Sequence, residues 1–271
     1  MKPVPAKSAM PPALPAPPEP RNLADLQKSL TGLGLEHAAI RLSSLVSDSI
    51  RENKGPIGFL QALLEEEVSR REERRIRTSL RLSSLPTGLT IGSFDFAYQP
   101  SVERSKIELL STGEWIRQKQ SLLIMGPPGV GKTHLAVALG VKAVETGFSV
   151  AFYRLEELLF DMRKDADVAP TKLRRKGYMK TGLLIIDEVG FQPLSRQDAN
   201  LLFRLVSYRY QRGSICITSN KSVKEWPEMF AGDEILTTAL LDRLLHNSQV
   251  LNIKGRSYRL KDLEKSLRDS H

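Results

Sequence analysis

Residues 126–133 read Gly-Pro-Pro-Gly-Val-Gly-Lys-Thr and match G-x-x-x-x-G-K-[ST]. No other stretch constrains the fold as much, because such a loop works only between a strand and a helix. The context is right. The apolar run 121–125 (Ser-Leu-Leu-Ile-Met) predicts a short buried strand, and 134–146 predicts a helix. Gly126, Gly129 and Gly131, with Pro127, Pro128 and Val130 between them, let backbone N–H groups turn inward on a triphosphate. Lys132 is expected to reach the β- and γ-phosphates, and the Thr133 hydroxyl to hold Mg²⁺. His134 follows directly, at the first turn of the helix. The chain is therefore expected to bind ATP or GTP.

The rest of the C-terminal part repeats this strand–helix rhythm. Strands are predicted at 121–125, 149–153, 182–186, 214–218 and 249–253, with helices at 134–146, 155–163, 199–210 and 237–245. Such alternation predicts an α/β fold: a parallel five-stranded sheet with helices on both faces. Upstream the rhythm is different. Residues 1–20 are rich in Pro and Ala and predict a disordered or polyproline-like tail. Residues 21–85 carry helical patterns through Leu23, Leu26 and Leu30, then Ile40, Leu42, Leu45 and Val46, then Phe59, Leu60, Leu63, Leu64, Val68, Ile76 and Leu80. Pro86-Thr87-Gly88 breaks the pattern, so three parts are expected: a tail at 1–20, a small all-α domain at 21–85 and the α/β domain at 86–271.

Hydrophobic residues make up 41% of the 271, enough for a real core. No apolar run is long enough to span a bilayer, and the proline-rich start lacks the apolar segment of a signal peptide. The single Cys216 excludes an intrachain disulfide and fits a reducing, cytoplasmic setting. It lies in an apolar run, which predicts a core residue. The net charge of +9 suggests a polyanionic partner or a merely basic surface.

Three further signals carry chemistry. Residues 183–188 (Leu-Leu-Ile-Ile-Asp-Glu) form an apolar strand ending in two acids. Asp187 is expected to complete the Mg²⁺ shell, and Glu188 to act as general base on the attacking water. Asn220 ends the next predicted strand and should emerge at the same sheet edge, where ligands of parallel sheets bind. Arg243 can neutralise charge on a transferring phosphoryl group, often from a neighbouring subunit.

Lys132, Thr133, Asp187, Glu188, Asn220 and Arg243 stand in the order of an AAA+ ATPase. The stretches 126–136, 187–190 and 218–220, with Trp226, 242–246 and 255–259, resemble the DnaC/IstB group of P-loop ATPases. Residues 93–100 (Ser-Phe-Asp-Phe-Ala-Tyr-Gln-Pro) and the Glu/Arg-rich 63–75 resemble IstB-like transposition helpers of insertion sequences. The resemblance runs from about Leu23 to the C-terminus. It implies a three-layer P-loop NTPase fold without the C-terminal helical lid of larger AAA+ proteins. It also implies an ATP-dependent ATPase that oligomerises on duplex DNA and assists a cognate transposase. Arg243 would act in trans, and Arg259 would occupy the second sensor position at ATP. A DnaC-type replicative helicase loader is the alternative, and single-stranded DNA would be its preferred polymer. A small-metabolite kinase would have no use for Arg243 in trans, and Glu188 argues against a module that only binds ATP.

Two basic clusters could meet DNA. On the third N-terminal helix, Glu66, Glu67 and Glu73 precede Arg70, Arg71 and Arg77 by four residues, which pairs them. Arg74, Arg75 and Arg81 have no acid at i−4 and are the better phosphate contacts, with a self-paired or interdomain helix as the equal alternative. Lys172, Arg174, Arg175, Lys176 and Lys180 form the second cluster, with no acid between 171 and 186. DNA contact is the expectation there, and a solvated loop is the alternative. Only Tyr178 interleaves it, which favours tracking of a duplex backbone over base stacking.

Overall fold

The computed structural model describes residues 22–230 and 232–261. The expected tail at 1–20, and the chain after Lys261 where a lid would lie, fall outside the described residues. Two compact units meet between Arg74 and Arg75.

The first unit holds α1 (Leu23–Gly32), α2 (Glu36–Arg51) and the first part of α3 (Pro56–Ser83). Asn22 starts α1 by accepting from the Asp25 N–H at 3.0 Å. Ala38, Leu42 and Leu63 form a small core with Leu30, Leu35, Leu45, Val46 and Phe59 around it. Glu67 of α3 is buried and accepts from the N–H groups of His37 and Ala38, at 2.9 and 3.1 Å. It thereby satisfies orphan donors at the start of α2, which has no side-chain cap of its own. Arg71 donates to the same carboxylate at 2.7 Å.

The second unit is the α/β domain. After α4 (Arg104–Ser111) and α5 (Glu114–Arg117) come β1 (Ser121–Met125), α6 (Lys132–Glu145), β2 (Val150–Arg154) and α7 (Leu155–Lys164). Two single-turn helices follow, α8 (Pro170–Leu173) and α9 (Gly177–Lys180). Then come β3 (Leu183–Val189), α10 (Arg196–Arg209), β4 (Ser214–Ser219), α11 (Trp226–Met229), α12 (Glu234–Leu245) and β5 (Ser248–Asn252). The sheet order is β2-β3-β4-β1-β5, with every pairing parallel.

The period-2 geometry of strands divides the apolar runs between two cores. Leu183 and Ile185 of β3 and Cys216 of β4 face α4 and α6. Leu184, Ile186, Ile215 and Ile217 face α7, α10 and α12. Cys216 is thus a core residue, and burial pushes its thiol pKa up. Among the described residues no helix is long and apolar enough to cross a membrane.

Candidate functional site: a nucleotide cavity at the carboxyl edge of the sheet

The parallel register brings the ends of β1, β3 and β4 together. Met125 pairs with Ser219, and Gly126 N–H donates to Ser219 O at 3.2 Å. The loop from Gly126 to Gly131 leads from that edge into α6. Gly129 and Gly131 have φ of 80° and 95°, and a Cβ there would lie 2.0 Å from Ser257 Oγ and 2.7 Å from the Phe94 ring. Both positions therefore demand glycine, for conformation and for space.

A cavity of about 340 Å³ opens over this loop. Pro128, Gly129, Val130, Gly131, Lys132, Thr133 and His134 line it, together with Glu188, Asn220 and Arg259. Lys132 Nζ donates to the carbonyls of Gly126 (2.8 Å) and Pro127 (2.7 Å). Burial holds its pKa below the usual lysine value; Asp187 opposes this and Arg259 adds to it. Thr133 Oγ1 donates to the Asp187 carboxylate, 2.9 and 3.0 Å from its two oxygens. A hydroxyl and a buried carboxylate in contact are hard oxygen ligands that fit Mg²⁺, which takes few protein ligands and keeps several waters. Asn220 Oδ1 is buried and has no hydrogen-bond partner among the described residues. His134 Nε2 sits 2.8 Å from Thr90 O, so it carries the proton and donates there, and Phe94 packs edge-on against the ring. Its side chain is thus tied to the 90–94 segment while it lines the cavity.

Glu188 has φ of +63°, unusual for a residue with a side chain. It lies where the β3–β4 register shifts, between Ile186 and Val189. The Glu188 N–H donates to Thr218 Oγ1 at 3.0 Å, and the same hydroxyl donates to Asp187 Oδ1. One buried threonine thus fixes both acids. The Glu188 carboxylate lies 3.9 Å from Arg154 Nε.

The sequence pattern marks Thr218 only through the resemblance and gives it no role of its own, nor does it show what segment 93–100 does. Tyr98 Oη donates to Ser257 O at 3.2 Å, and Gln99 Nε2 to Arg256 O at 2.8 Å. Tyr258 N–H donates to Gly129 O at 2.8 Å. These bonds lay the stretch carrying Arg259 across the phosphate loop. The alternation of aromatic and polar residues at 93–100 was the available signal.

Arg243 is not brought to this cavity. Its Nη1 donates to Ala239 O at 2.7 Å, and its guanidinium lies 5.0 Å from the Phe203 ring centre. It lines a separate cleft with Lys119, Arg209 and His246, beside Ser121 and Ile215 at the amino ends of β1 and β4. The basic residues also differ from one another. Arg74 lies 3.8 Å from Glu36 and 3.1 Å from His37 Nε2, acceptors that helical spacing does not show. Arg75 donates to the last carbonyls of α6, Val144 (3.1 Å) and Glu145 (3.3 Å). Arg81 is exposed. Lys172, Arg174, Arg175 and Lys180 are exposed on and around α8 and α9, whereas Lys176 is paired with Asp165 at 2.8 Å.

The family model of IstB-like ATP binding proteins matches residues 28–266. The chain belongs to this family. A Pseudomonas aeruginosa protein named for ATP binding in insertion sequence IS21 is 40% identical over 244 residues, 89% of this chain and 91% of its own. A Geobacillus stearothermophilus protein, named likewise for insertion sequence IS5376, is 40% identical over 230 residues, 85% of this chain and 91% of its own. In fold the chain is similar to a DNA replication initiation factor, with a TM-score of 0.53 at 18% identity over 69% of this chain and 56% of that one. The expected resemblance to IstB-like proteins and the three-layer P-loop fold are therefore both found.

Proposed function

We propose that this IstB-like protein is a cytoplasmic ATPase that assembles on duplex DNA and assists the transposase of an insertion sequence. The observation that carries the reading is the cavity lined by Lys132, Thr133, Glu188 and Asn220, with the buried Asp187 bonded to Thr133 beside it, in a chain whose family relatives are named for insertion sequences. Lys132, now held by loop carbonyls, turns to the β- and γ-phosphates of ATP. Thr133 and Asp187 would hold Mg²⁺, which would neutralise charge on the phosphates. Glu188 takes the proton of the attacking water, and Asn220, whose carbonyl oxygen has no partner among the described residues, orients that water. Arg243 lies at the opposite end of the sheet, a position suited to the nucleotide of a neighbouring copy. ATP would then stabilise the oligomer on DNA, and hydrolysis would loosen it.

Fluorescence anisotropy of labelled duplex and single strands of equal length tests this. It is run without nucleotide, with ADP and with a non-hydrolysable ATP analogue, across a salt series. Tight, ATP-dependent and salt-sensitive binding that favours duplex is expected. Preference for single strands would favour a helicase loader, and no binding in any nucleotide state would overturn both readings.

A further inference from the structure

The basic stretch that leads into β3 is built on an unusual foundation. Asp165, just past the end of α7, is buried, with only 8% of its surface exposed. It accepts from Tyr178 Oη at 2.7 Å and from Lys176 Nζ at 2.8 Å. Burial raises its pKa, but the bonds from Lys176 and Tyr178 outweigh this and hold the carboxyl below its usual range. Tyr178 is itself buried.

From the other side comes Arg209 of α10, 1% exposed. Among the described residues it has no carboxylate partner. Its Nη1 donates to the carbonyls of Tyr178 and Met179, both at 3.2 Å. Its Nη2 donates to Thr181 and Ser214, both at 2.8 Å. Burial lowers its pKa to about 10, which measures how costly that environment is for the cation. A buried guanidinium that bonds three carbonyls between 178 and 181 and a fourth at the start of β4 ties the path of that stretch to the sheet. The acid and the arginine grip 176–182 and leave Lys172, Arg174, Arg175 and Lys180 facing solvent.

We propose that Asp165, Tyr178 and Arg209 are positioning residues that present Lys172, Arg174, Arg175 and Lys180 as a preformed surface for a nucleic-acid phosphate backbone, with Lys176 as a tether and not a contact. The inference rests on the DNA-binding reading above and divides the five cations into two roles. A preformed surface orders few side chains and little backbone at the moment of binding, which strengthens association without adding contacts.

The salt dependence of binding separates the roles. Each phosphate contact contributes about 0.9 to the slope of log K against log salt on duplex DNA. Binding of the full chain to a labelled duplex is measured with a non-hydrolysable ATP analogue, well below the melting temperature of each variant. Single alanine variants of Lys172, Arg174, Arg175 and Lys180 should each flatten the slope by about one. Lys176→Gln should weaken binding at an unchanged slope, because Asp165 already neutralises that charge, and Lys176→Arg should restore affinity. Tyr178→Phe, which removes a single hydroxyl, should weaken binding about fivefold, the scale of one net hydrogen bond, again at an unchanged slope. A Lys176→Gln slope that falls like the others, or a Tyr178→Phe variant that binds as tightly as the parent, overturns the anchor. If none of the four alanine variants changes the slope, the DNA reading of this segment fails first and the anchor falls with it.

Discussion

Thr218→Val tests whether one hydroxyl organises the acid pair. The substitution keeps the branched shape of a side chain that is 1% exposed and removes only its oxygen. Two bonds go with it, the donation to Asp187 and the acceptance from the Glu188 N–H. Backbone in a sparsely populated region, as at Glu188, costs about 1–3 kcal/mol and persists only while its surroundings hold it. An N–H left without an acceptor costs a similar 1–3 kcal/mol. The restraint and the strain are therefore of equal size, and losing the first frees Glu188 to leave its left-handed conformation. If about 2–3 kcal/mol of positioning is lost from the transition state, turnover falls about 30- to 150-fold. Lys132 and the loop are untouched, so KM for ATP should move little. Steady-state phosphate release in the presence of duplex DNA is the assay. Thr218→Ser keeps the hydroxyl and should stay within about threefold of the parent, less than 1 kcal/mol. A valine variant within twofold of the parent, or a serine variant as slow as valine, would refute the reasoning.

Glu188→Gln should keep ATP binding while lowering turnover at least about 100-fold, the usual scale of a general base. Its ATP-bound oligomers should persist on duplex DNA in size-exclusion chromatography, and full turnover would remove Glu188 from the base role. Glu67→Gln probes the helical unit. Burial raises the Glu67 pKa, but bonds from Ala38, Arg71 and His37 outweigh this and hold the carboxyl below its usual value. A depressed carboxyl stabilises the fold above the unfolded-state pKa of about 4.3 and loses that contribution as pH falls through the folded value. Thermal melts should therefore show the parent losing stability on acidification below about pH 4.3 more steeply than the glutamine variant. At neutral pH the variant should be less stable by about 2 kcal/mol, the scale of a charge-assisted hydrogen bond. Parallel melting curves across pH would show that Glu67 is not the coupled group.

Much of this was legible in the chain itself, because it depends on local pattern. The loop at 126–133 sits between a strand and a helix in the structure as its spacing requires. The apolar runs expected as strands are all found within a residue or two at their starts, and β3 and β4 extend further, to Val189 and Ser219. Strand and helix follow from side-chain periodicity, which a sequence displays directly. Single-turn helices such as α8 and α9 are too short to display a period, and a polar loop was the alternative there.

What only the tertiary structure decided concerns partners distant in sequence. Helical spacing left Arg74 without an acid, yet Glu36 and His37 of another helix reach it. No acid lies between 171 and 186, yet Asp165 folds back onto Lys176. Arg75 meets the end of α6 rather than solvent alone. Thr218 stands among apolar strand residues, and only the pairing of β3 beside β4 brings its hydroxyl to Asp187 and the Glu188 N–H. The sequence by itself determined which elements form and which residues sit at strand ends, because backbone geometry and burial act over a few residues. Which charges remain free, and how the acid pair is held, were decided by packing, because electrostatic and hydrogen-bond partners are chosen in space.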